Sequence, residues 1–391
     1  MCNGKRKIKV LFLTHYSGGG GATQALLTLI DGLKEFGVES YVITNRDKGE
    51  LQKELDNRSV EYACLPFWAG VIQEKYTNAL CFPLKRVKNR ILQYYMALLA
   101  TPYVKKWKID IIHANSTLVT YGMILGRMTK IPNIWHLREA IKKHFGYVFF
   151  QSEKTMKIWA GNTSGVIAVS EYTKSQYESI LKNVDVYTIY DGTSIFSEKK
   201  VYELSDPVRI TYLGGLSEGK GFDDVYQLYL GMKNRKFERY RIYIPGITKK
   251  DAQCYGDKKG WDKDIFHYVV FEEKMGRSQV DMFRVNMDIH FQPSYSEAFG
   301  LVTAESMRIG IPIVGVNLGA NMELLGKSER GLLYEKGDAD DICDKIMTLV
   351  LNEDLRKQIA ESAKCYANNY FTAQVNAKSI YDLYKKILDK E

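Results

Sequence analysis

The sequence lacks the features of a secreted protein, of a protein with a structural zinc site and of a membrane-spanning protein. Its six cysteines, spread over 391 residues, form no Cys-x-x-Cys pair, which predicts reduced thiols in a cytosolic protein and argues against a structural zinc site. The apolar run at residues 10–13 is too short for a signal peptide. No stretch approaches the ~20 apolar residues that a transmembrane helix requires. We therefore expect a cytoplasmic protein.

Composition and charge indicate an ordinary globular protein with an anionic partner. Apolar residues make up 45% and charged residues 26% of the chain, which is typical of a soluble enzyme, and the length favours two domains. The net charge of +9 favours nucleotides, nucleic acid or phospholipid. Because no basic stripe with interleaved aromatic residues stands outside residues 84–108, we expect no nucleic-acid partner.

The chain falls into two α/β halves that begin alike. Each half opens with a strand, a glycine-rich loop and a helix, at residues 8–36 and again from residue 208. Strands and helices alternate after both openings, which predicts two doubly wound, Rossmann-like domains facing across a cleft. We place the domains at residues 1–196 and 197–372, and we expect a C-terminal helix at 373–391 to cross back to the first domain.

The first glycine-rich loop, with glycines at positions 18–21, has three interpretations. A dinucleotide-binding loop would have the spacing Gly-x-Gly-x-x-Gly, but position 23 is Thr, which argues against an NAD-dependent enzyme. A tight turn that needs positive φ is the structural alternative. The functional alternative is close approach of the backbone to a phosphate.

A helix predicted at residues 301–309 lies within the most informative pattern of the chain. It follows a loop and precedes a β-branched strand, with Glu297 before its first turn and Glu305 inside it. The backbone N–H groups of Phe299 and Gly300 lie where the helix begins, and a helix start after a buried strand binds anions. We hypothesise that this start holds the diphosphate of a nucleotide-sugar.

A nucleotide-sugar needs three kinds of contact, and the second half of the chain offers each. Lys220 and the helix-start amides suit the diphosphate, Glu305 suits the ribose diol because a carboxylate accepts two hydrogen bonds, and Glu297 suits sugar hydroxyls. Each has a structural alternative, as a surface charge or a helix-face carboxylate. In the first half, polar residues at strand ends mark the edge where open α/β sheets bind ligands: His113, Asn115, His136, Arg138 and Glu139.

The segment at residues 84–108 has two interpretations. Apolar residues fall on one helical face, beside a cluster of lysines and arginines. Such a helix lies in a membrane interface, or it packs its apolar face into the core like an ordinary surface helix. The apolar set is Leu84, Val87, Ile91, Tyr94, Tyr95 and Leu98, and the basic set is Lys85, Arg86, Lys88, Arg90, Lys105, Lys106 and Lys108.

The chain resembles the retaining glycosyltransferases of family 4, which have the GT-B fold, over nearly its whole length. The most specific match is Ser296-Glu-Ala-Phe-Gly-Leu-Val-Thr-Ala-Glu305, which is similar to the family's E-x7-E motif. Gly20-Gly-Ala-Thr-Gln-Ala-Leu-Leu is similar to its first-loop segment. Further matching segments are Asp110-Ile-Ile-His113, Trp135-His-Leu-Arg-Glu139 and the stretch from Gly331 to Asp338.

The resemblance implies a role for each of these segments. Glu305 would hold the donor ribose, Glu297 would lie against the donor sugar, and His136 would reach a sugar hydroxyl and help to place the reacting carbon. Gly20 and Gly21 would approach the diphosphate. The other implied contacts are to the donor, from Lys220, Phe299, Gly300 and Leu301, and to the sugar or acceptor, from His113, Asn115, Arg138 and Glu139.

The resemblance also implies chemistry without a metal or cofactor, in which the leaving phosphate takes the acceptor proton. Two Asp-x-Asp strings, at 262–264 and 338–340, are of the kind that metal-dependent glycosyltransferases use, and we interpret them as surface polarity. One departure matters: the family's usual Arg, which clamps the diphosphate, is here Gly215, and Arg is a planar bidentate donor with no equivalent. The departure leaves three possibilities: a weaker clamp, a relocated arginine such as Arg209 or Arg277, or a degenerate enzyme.

These observations predict a retaining, metal-independent hexosyltransferase that moves a sugar from a UDP-sugar to a hydroxyl acceptor. The basic helix favours a lipid-linked acceptor in cell-surface polysaccharide or glycolipid assembly, at the inner face of the cytoplasmic membrane. Two alternatives stay open. A UDP-sugar epimerase of the same fold would need no acceptor, and a non-catalytic nucleotide-sugar-binding subunit would be consistent with Gly215.

Overall fold

The structure, a computed structural model, divides the chain into two compact units, Met1–Thr193 with Thr372–Glu391, and Ser194–Phe371. It describes residues 6–46, 49–194, 200 and 202–390, without the side chains of residues 277 and 278. The predicted boundary between residues 196 and 197 lies outside the described residues. Each unit contains its own parallel sheet, as the alternating pattern of the sequence predicts.

The first unit contains nine strands and nine α-helices within its described residues. Its strands are β1 (Ile8–Leu13), β2 (Val38–Thr44), β3 (Glu61–Cys64), β4 (Val71–Gln73), β5 (Ile111–Ala114), β6 (Asn133–Leu137), β7 (Tyr147–Phe149), β8 (Gly165–Ala168) and β9 (Val186–Thr188). Its helices are α1 (Gly21–Glu35), α2 (Glu50–Asn57), α3 (Phe82–Trp107), α4 (Tyr121–Thr129), α5 (Ile141–Phe145), α6 (Glu153–Gly161), α7 (Glu171–Ser175), α8 (Glu178–Leu181) and, from the chain's end, α16 (Ala373–Leu388).

Seven of these strands form one parallel sheet in the order β3-β2-β1-β5-β6-β8-β9, while β4 and β7 pair antiparallel beside it. Strand β1 is apolar throughout because both of its faces are covered. Leu11 and Leu13 pack into the core that includes α3 and α4, and Val10 and Phe12 pack into the core that includes α1 and α16. The continuous apolar run therefore indicates a central strand of a doubly wound sheet.

The C-terminal helix α16 belongs to the first unit and packs on α1. A Cβ added to Gly32 of α1 would lie 2.7 Å from the Cβ of Ala377, so the absence of a side chain allows the two helices to approach closely. Phe36 stacks on Tyr381 with ring centroids 5.1 Å apart, and Tyr384 is buried in the same core.

The core-facing side of helix α3 contains polar residues among its apolar ones. Its buried residues include Asn89 and Gln93, whose side-chain amides donate to the backbone carbonyls of Ala69 and Trp68, both at 2.9 Å. The predicted apolar face instead points to solvent: Leu84 is 75% exposed, and every other member of that set is exposed as well. The interpretation in which this face packs into the core is therefore wrong.

The second unit contains six strands and seven α-helices within its described residues, and its strands form one parallel sheet in the order β12-β11-β10-β13-β14-β15. The strands are β10 (Val208–Thr211), β11 (Tyr240–Pro245), β12 (Val269–Glu272), β13 (Ile289–Gln292), β14 (Ile313–Val316) and β15 (Leu332–Tyr334). The helices are α9 (Phe222–Asn234), α10 (Lys249–Lys259), α11 (Arg277–Val285), α12 (Leu301–Ile309), α13 (Ala320–Leu325), α14 (Ala339–Leu351) and α15 (Glu353–Tyr370).

Among the helices that the structure describes, none combines the length and the apolar character needed to cross a bilayer. Helix α3 has the length, with 26 residues, but it carries six lysines and arginines. The described cysteines, Cys64, Cys81, Cys254, Cys343 and Cys365, are free thiols.

Candidate functional site

The strand order reverses between β10 and β13 in the second unit. At such a point the helices that follow the two strands lie on opposite faces of the sheet, and a crevice opens at the strands' carboxyl ends. The loops that reach this edge are the glycine-rich loop at 214–221 and the loop at 293–300. The two stretches that the sequence singles out in this half are therefore neighbours.

Backbone contacts hold these two loops together. The Tyr295 N–H donates to the Gly219 carbonyl at 3.0 Å, and the Tyr295 hydroxyl donates to the Asp224 carboxylate at 2.7 Å. A Cβ at Gly221, where φ is 70°, would lie 2.0 Å from the Pro293 carbonyl oxygen. Only glycine allows that backbone conformation together with that approach.

The arrangement brings Lys220 to Glu297. The Lys220 Nζ donates to Glu297 Oε1 at 2.7 Å, with the carboxylate mostly buried and the lysine half-buried. Glu297 is fixed further through its backbone carbonyl, which accepts from the Ala320 N–H at 3.1 Å. Two side chains 77 positions apart in the sequence thus form one charged pair at the crevice.

Helix α12 begins beside this pair. Gly300 has φ of 93° and is its N-terminal cap, and Leu301 is its first residue. The Phe299 ring is buried and packs edge-on against the Phe371 ring, with the ring centroids 5.3 Å apart. The Phe299 side chain therefore belongs to the core. The first N–H groups of a helix have no acceptor within the helix and carry a partial positive charge, so this start suits an anion.

Glu305 is held by Arg284, a residue that sequence reasoning missed. Arg284 is buried on α11 and donates to Glu305 Oε2 at 2.5 Å and to Asp281 Oδ1 at 2.9 Å. The sequence carries no local sign of this contact, because Arg284 and Glu305 lie on different helices and meet only in the folded unit. The arginine compensates the carboxylate and orients it.

Gly215, at the position of the family's usual arginine, is not crowded by other atoms. A Cβ at Gly215 would meet nothing within 4 Å, and the residue lines a cavity of about 390 Å³ at the ends of β10 and β11. Arg209 does not reach this edge, because its guanidinium donates to the Asn286 carbonyl at 3.5 Å, just before β13 begins. The Arg277 side chain lies outside the described residues. Within the part of the chain that the structure describes, no arginine is seen to replace the missing one.

In the first unit the strand order reverses between β1 and β5. The glycine-rich loop after β1 leads into α1, with Gly20 as the N-terminal cap at φ 124°. No heavy atom lies within 4 Å of a Cβ built at Gly20. A Cβ at Gly19, by contrast, would lie 2.1 Å from the Glu50 carboxylate. A contact of Gly20 and Gly21 with phosphate stays a prediction.

His113 and His136 lie side by side on the neighbouring strands β5 and β6, both fully buried. His113 Nε2 lies 3.0 Å from His136 Nδ1, and His113 Nδ1 lies 2.6 Å from the hydroxyl of Tyr384. Burial lowers the pKa of His113 to about 3 and holds the pKa of His136 well below its usual value, and the nearby charge of Arg138 acts in the same direction. Both imidazoles are therefore neutral.

The other predicted contacts of this unit have internal partners. Arg138 forms a buried ion pair with Asp191 at 2.6 Å and donates to Asn115 Oδ1 at 3.3 Å. Glu139 accepts from the Ser116 hydroxyl and the Thr117 N–H at 3.0 and 2.9 Å. These contacts tie the loops after β5 and β6 together, and a role of the three residues in acceptor binding stays a prediction.

Two residues near this network were not singled out by the sequence. Asp191 lies three residues after β9, and burial raises its pKa although Arg138 opposes the shift. His15, after β1, has a pKa lowered by burial and raised in part by the charge of Glu139. In the sequence, both residues are marked only by being polar and following a strand, which is a weak indication of a functional position.

The Asp-x-Asp strings serve helix starts and ion pairs. Asp338 caps α14 by accepting from the N–H groups of residues 340 and 341, and Asp340 pairs with Arg235. Asp262 pairs with Lys233 at 2.6 Å and caps the short helix Lys263–His267. The described residues contain no cluster of three or more acidic, histidine or cysteine side chains suited to a metal ion.

Family models match both halves of the chain. The family model described as Glycosyltransferase Family 4 matches residues 19–195, and the one described as Glycosyl transferases group 1 matches residues 195–365. An uncharacterised glycosyltransferase of Methanocaldococcus jannaschii is 28% identical over 67% of this chain and 71% of its own length. The capsular polysaccharide biosynthesis glycosyltransferase CapM of Staphylococcus aureus is 22% identical over 92% and 93%.

A solved structure shares the fold. The structure of HepE from Anabaena in complex with UDP has a TM-score of 0.72, covering 97% of this chain and 100% of that one at 17% identity. At that identity the likeness establishes the fold and not the ligand. Two Rossmann-like units in one chain are the shared architecture.

The buried histidines predict a loss of stability in mild acid. Burial lowers the pKa of His113 and His290 to about 3 and that of His136 in the same direction. Each of these histidines takes up a proton only on unfolding. Their contribution to the free energy of unfolding is therefore complete above about pH 6.5 and is lost as the pH falls towards the pKa of the folded state. We expect the free energy of unfolding, measured with urea, to drop by up to about 4 kcal/mol from pH 6 to pH 5.

A single substitution checks this slope. His290→Gln removes one such group, so the decrease from pH 6 to pH 5 should shrink by about 1.4 kcal/mol, the value of one proton. His267→Gln, at an exposed position, is the control and should leave the slope as it is. An unchanged slope in His290→Gln would contradict the assignment.

Replacing Arg284 by methionine should destabilise the second unit. The substitution removes the buried cation that Asp281 and Glu305 share, which costs about 3 kcal/mol when one member of a buried pair is lost. The control is Arg239→Met, whose pair with Asp206 is exposed and should contribute under about 1 kcal/mol. Equal losses of stability in the two variants, measured by denaturant unfolding, would refute the structural role of Arg284.

Proposed function

The chain belongs to glycosyltransferase family 4, and from that premise we propose that it moves a hexosyl residue from a UDP-sugar to a hydroxyl acceptor with retention of configuration. The observation that carries the proposal is the pairing of Lys220 with Glu297, 2.7 Å apart at the start of α12. It puts a cation, a carboxylate and a helix N-terminus at one end of the sheet. Those are the groups that a diphosphate and a sugar require.

The charged pair suggests how the donor would bind. Without a ligand, Lys220 is neutralised by Glu297. A diphosphate carries more charge than one carboxylate and would compete for the lysine, together with the amides at the start of α12. Glu297 would then be free to accept hydrogen bonds from the sugar. Glu305, oriented by Arg284, would accept from the ribose diol.

The proposed reaction exchanges one C–O bond for another. The bond between the anomeric carbon and the leaving diphosphate oxygen breaks, and the acceptor oxygen bonds to that carbon on the same face. The acceptor proton passes to the departing phosphate oxygen, so no protein base is required. Lys220 and α12 would stabilise the charge that develops on the leaving group, and we propose that no metal ion takes part.

Residues of the first unit would serve the sugar and the acceptor. We propose that the Gly20 and Gly21 backbone at the start of α1 approaches the diphosphate, and that the neutral His136 contacts a sugar hydroxyl. Arg138, Glu139 and Asn115 would shape the acceptor side through the loops that they tie together.

The choice of UDP and of pathway rests on similar proteins. UDP is the nucleotide bound by HepE, which shares the fold, and CapM, similar over nearly the whole chain, is described as a capsular polysaccharide glycosyltransferase. Both facts support a UDP-sugar donor and an acceptor in cell-surface polysaccharide or glycolipid assembly. The family assignment also argues against an NAD-dependent enzyme.

We propose further that α3 rests on an anionic membrane surface, where a lipid-linked acceptor would be found. Its exposed apolar residues run from Leu84 to Leu98, about 21 Å along the helix, and Ile91 at the centre is 63% exposed. Exposed Lys85, Lys88 and Arg90 flank them. An exposed apolar stripe beside lysine and arginine is the pattern of an interfacial helix.

The charge of α3 selects this partner over others. The helix carries six lysines and arginines and no aspartate or glutamate, so a second copy of the same face would be repelled. Nucleic acid would match the charge and leave the aliphatic residues without contacts. A surface of anionic lipid satisfies both the charges and the apolar side chains.

Nucleotide binding and turnover test the donor proposal. UDP should raise the thermal stability of the chain, by about 2.7 kcal/mol at a hundredfold excess over Kd, and ADP or GDP should not. Glu305→Ala should lose this stabilisation because the ribose contact is gone. Glu297→Ala should keep UDP binding and lose transfer by about 10² or more. The assays are differential scanning fluorimetry and product analysis by mass spectrometry, with and without EDTA.

Controls separate the alternatives. Glu329→Ala, at an exposed carboxylate, should behave as the wild type. Gly215→Arg, whose Cβ would meet no atom within 4 Å, should tighten UDP binding. Conversion of the UDP-sugar with no acceptor would indicate an epimerase, and binding without turnover a non-catalytic subunit. If no nucleotide stabilises the chain, or if Glu297→Ala and Glu305→Ala both transfer normally, the proposal fails.

Membrane binding is tested with vesicles. Lys85, Lys88 and Arg90 together changed to Ala should weaken binding to phosphatidylglycerol-containing vesicles by about 3 kcal/mol, or a hundredfold, at about 1 kcal/mol for each charge. Arg86 is left in place because it donates to the Phe150 carbonyl at 2.8 Å. Co-sedimentation measures the partition.

The control carries the same charge change elsewhere. Lys249, Lys250 and Lys327, exposed in the second unit, changed to Ala should leave vesicle binding nearly unaltered. Leu84→Ser with Ile91→Ser should weaken binding while the net charge stays constant. Equal effects of the two lysine sets would show a diffuse charge effect and contradict the assignment to α3.

A further inference from the structure

A line of three buried side chains connects the C-terminal helix to His136. Tyr384 lies on α16, His113 on β5 and His136 on β6, and each is fully buried. The Tyr384 hydroxyl, the two nitrogens of His113 and His136 Nδ1 form consecutive hydrogen bonds of 2.6 and 3.0 Å. Within the described residues, His136 Nε2 at the end of this line is buried and has no hydrogen-bond partner.

The protons on this line have two consistent arrangements. Both imidazoles are neutral and burial raises the pKa of Tyr384, so each group carries one proton. In the first arrangement Tyr384 donates to His113 Nδ1, His113 donates from Nε2 to His136 Nδ1, and His136 carries its proton on Nε2. In the second arrangement every bond runs the other way, and both histidines carry their protons on Nδ1.

The first arrangement satisfies more of the buried groups. It leaves one unpaired group, the Nε2–H of His136. The second leaves two, the hydroxyl proton of Tyr384 and the lone pair of His136 Nε2, because among the described residues that hydroxyl hydrogen-bonds to His113 alone. Buried polar groups without partners are costly and rare. The hydroxyl of Tyr384 therefore sets the direction of the whole line.

We propose that Tyr384 is a positioning residue that acts through His113 to hold His136 as an Nε2–H donor for an oxygen of the substrate sugar. The inference rests on the proposed function in one respect, that the partner of this donor is a sugar oxygen. His136 Nε2 is buried as well as unpaired. A sugar oxygen can therefore reach it only after the residues that bury this nitrogen have moved. The helix that returns from the end of the sequence thereby contributes to the reaction without touching the substrate.

The proton positions are measured directly by NMR. The chain has six histidines, so selective 15N-histidine labelling gives few signals, and His113→Gln and His136→Gln assign two of them. The long-range 1H–15N spectrum of the unliganded protein distinguishes protonated from unprotonated ring nitrogens. We expect protonated Nε2 and unprotonated Nδ1 in both residues, unchanged from pH 8 to pH 5.5. Protonated Nδ1 in both would overturn the proposal.

The substitution Tyr384→Phe removes the hydroxyl and keeps the ring. We expect the His136 signals to shift towards protonated Nδ1, and kcat for sugar transfer to fall by about tenfold or more, since a wrong imidazole tautomer withdraws the donor. Stabilisation by UDP should stay at the wild-type value. Tyr381→Phe is the matched control, one turn earlier on α16 and stacked on Phe36, and should change neither the spectrum nor kcat.

The NMR spectrum and kcat together distinguish a failure of the positioning role from a failure of the proposed function. A Tyr384→Phe variant with wild-type spectrum and kcat refutes the positioning role. Should no UDP-sugar be turned over by the wild type, the proposed function fails, and the wild-type spectrum still decides the direction of the hydrogen bonds. If Tyr384→Phe does not fold, that same spectrum is the deciding result.

Discussion

Reversal of strand order in a parallel sheet is the constraint on which both candidate sites depend. Between β10 and β13, and again between β1 and β5, neighbouring strands send their helices to opposite faces, and the loops at their carboxyl ends are left uncovered. Those loops carry the two glycine runs and Glu297, and His113 lies on β5 just before its loop. The chemistry of the chain therefore lies where the sheet itself leaves room, and no special insertion is needed to create it.

The charged side chains of the second unit's crevice are paired with one another. Lys220 is paired with Glu297 and Glu305 with Arg284, so the charged groups of the crevice are compensated before any ligand arrives. An exchange of partners is easier than the exposure of an isolated buried charge, because no group is left uncompensated during binding. Gly215 lies where the family's usual arginine is absent, so in the proposed function Lys220 and the start of α12 would carry more of the phosphate binding.

The first unit uses polar side chains in places where apolar ones are the rule. Asn89 and Gln93 on α3 face the core because backbone carbonyls lie within reach of their amides, which releases the apolar side of the helix to solvent. Tyr384 and His113 place a directed hydrogen-bond line beneath His136. In both cases satisfied polar contacts inside the unit determine what is presented outside it.

The sequence determined the local elements. Periodicity and caps are properties of neighbouring residues, so helix α12 at Leu301–Ile309 was predictable to the residue. So was the family, from the Glu297-to-Glu305 motif. The tertiary structure alone decided strand order, the outward face of α3 and the contacts of Arg284. These features depend on contacts between groups far apart along the chain. Packing and hydrogen bonding across the whole unit determine which of those groups meet, and a short stretch of sequence does not contain that information.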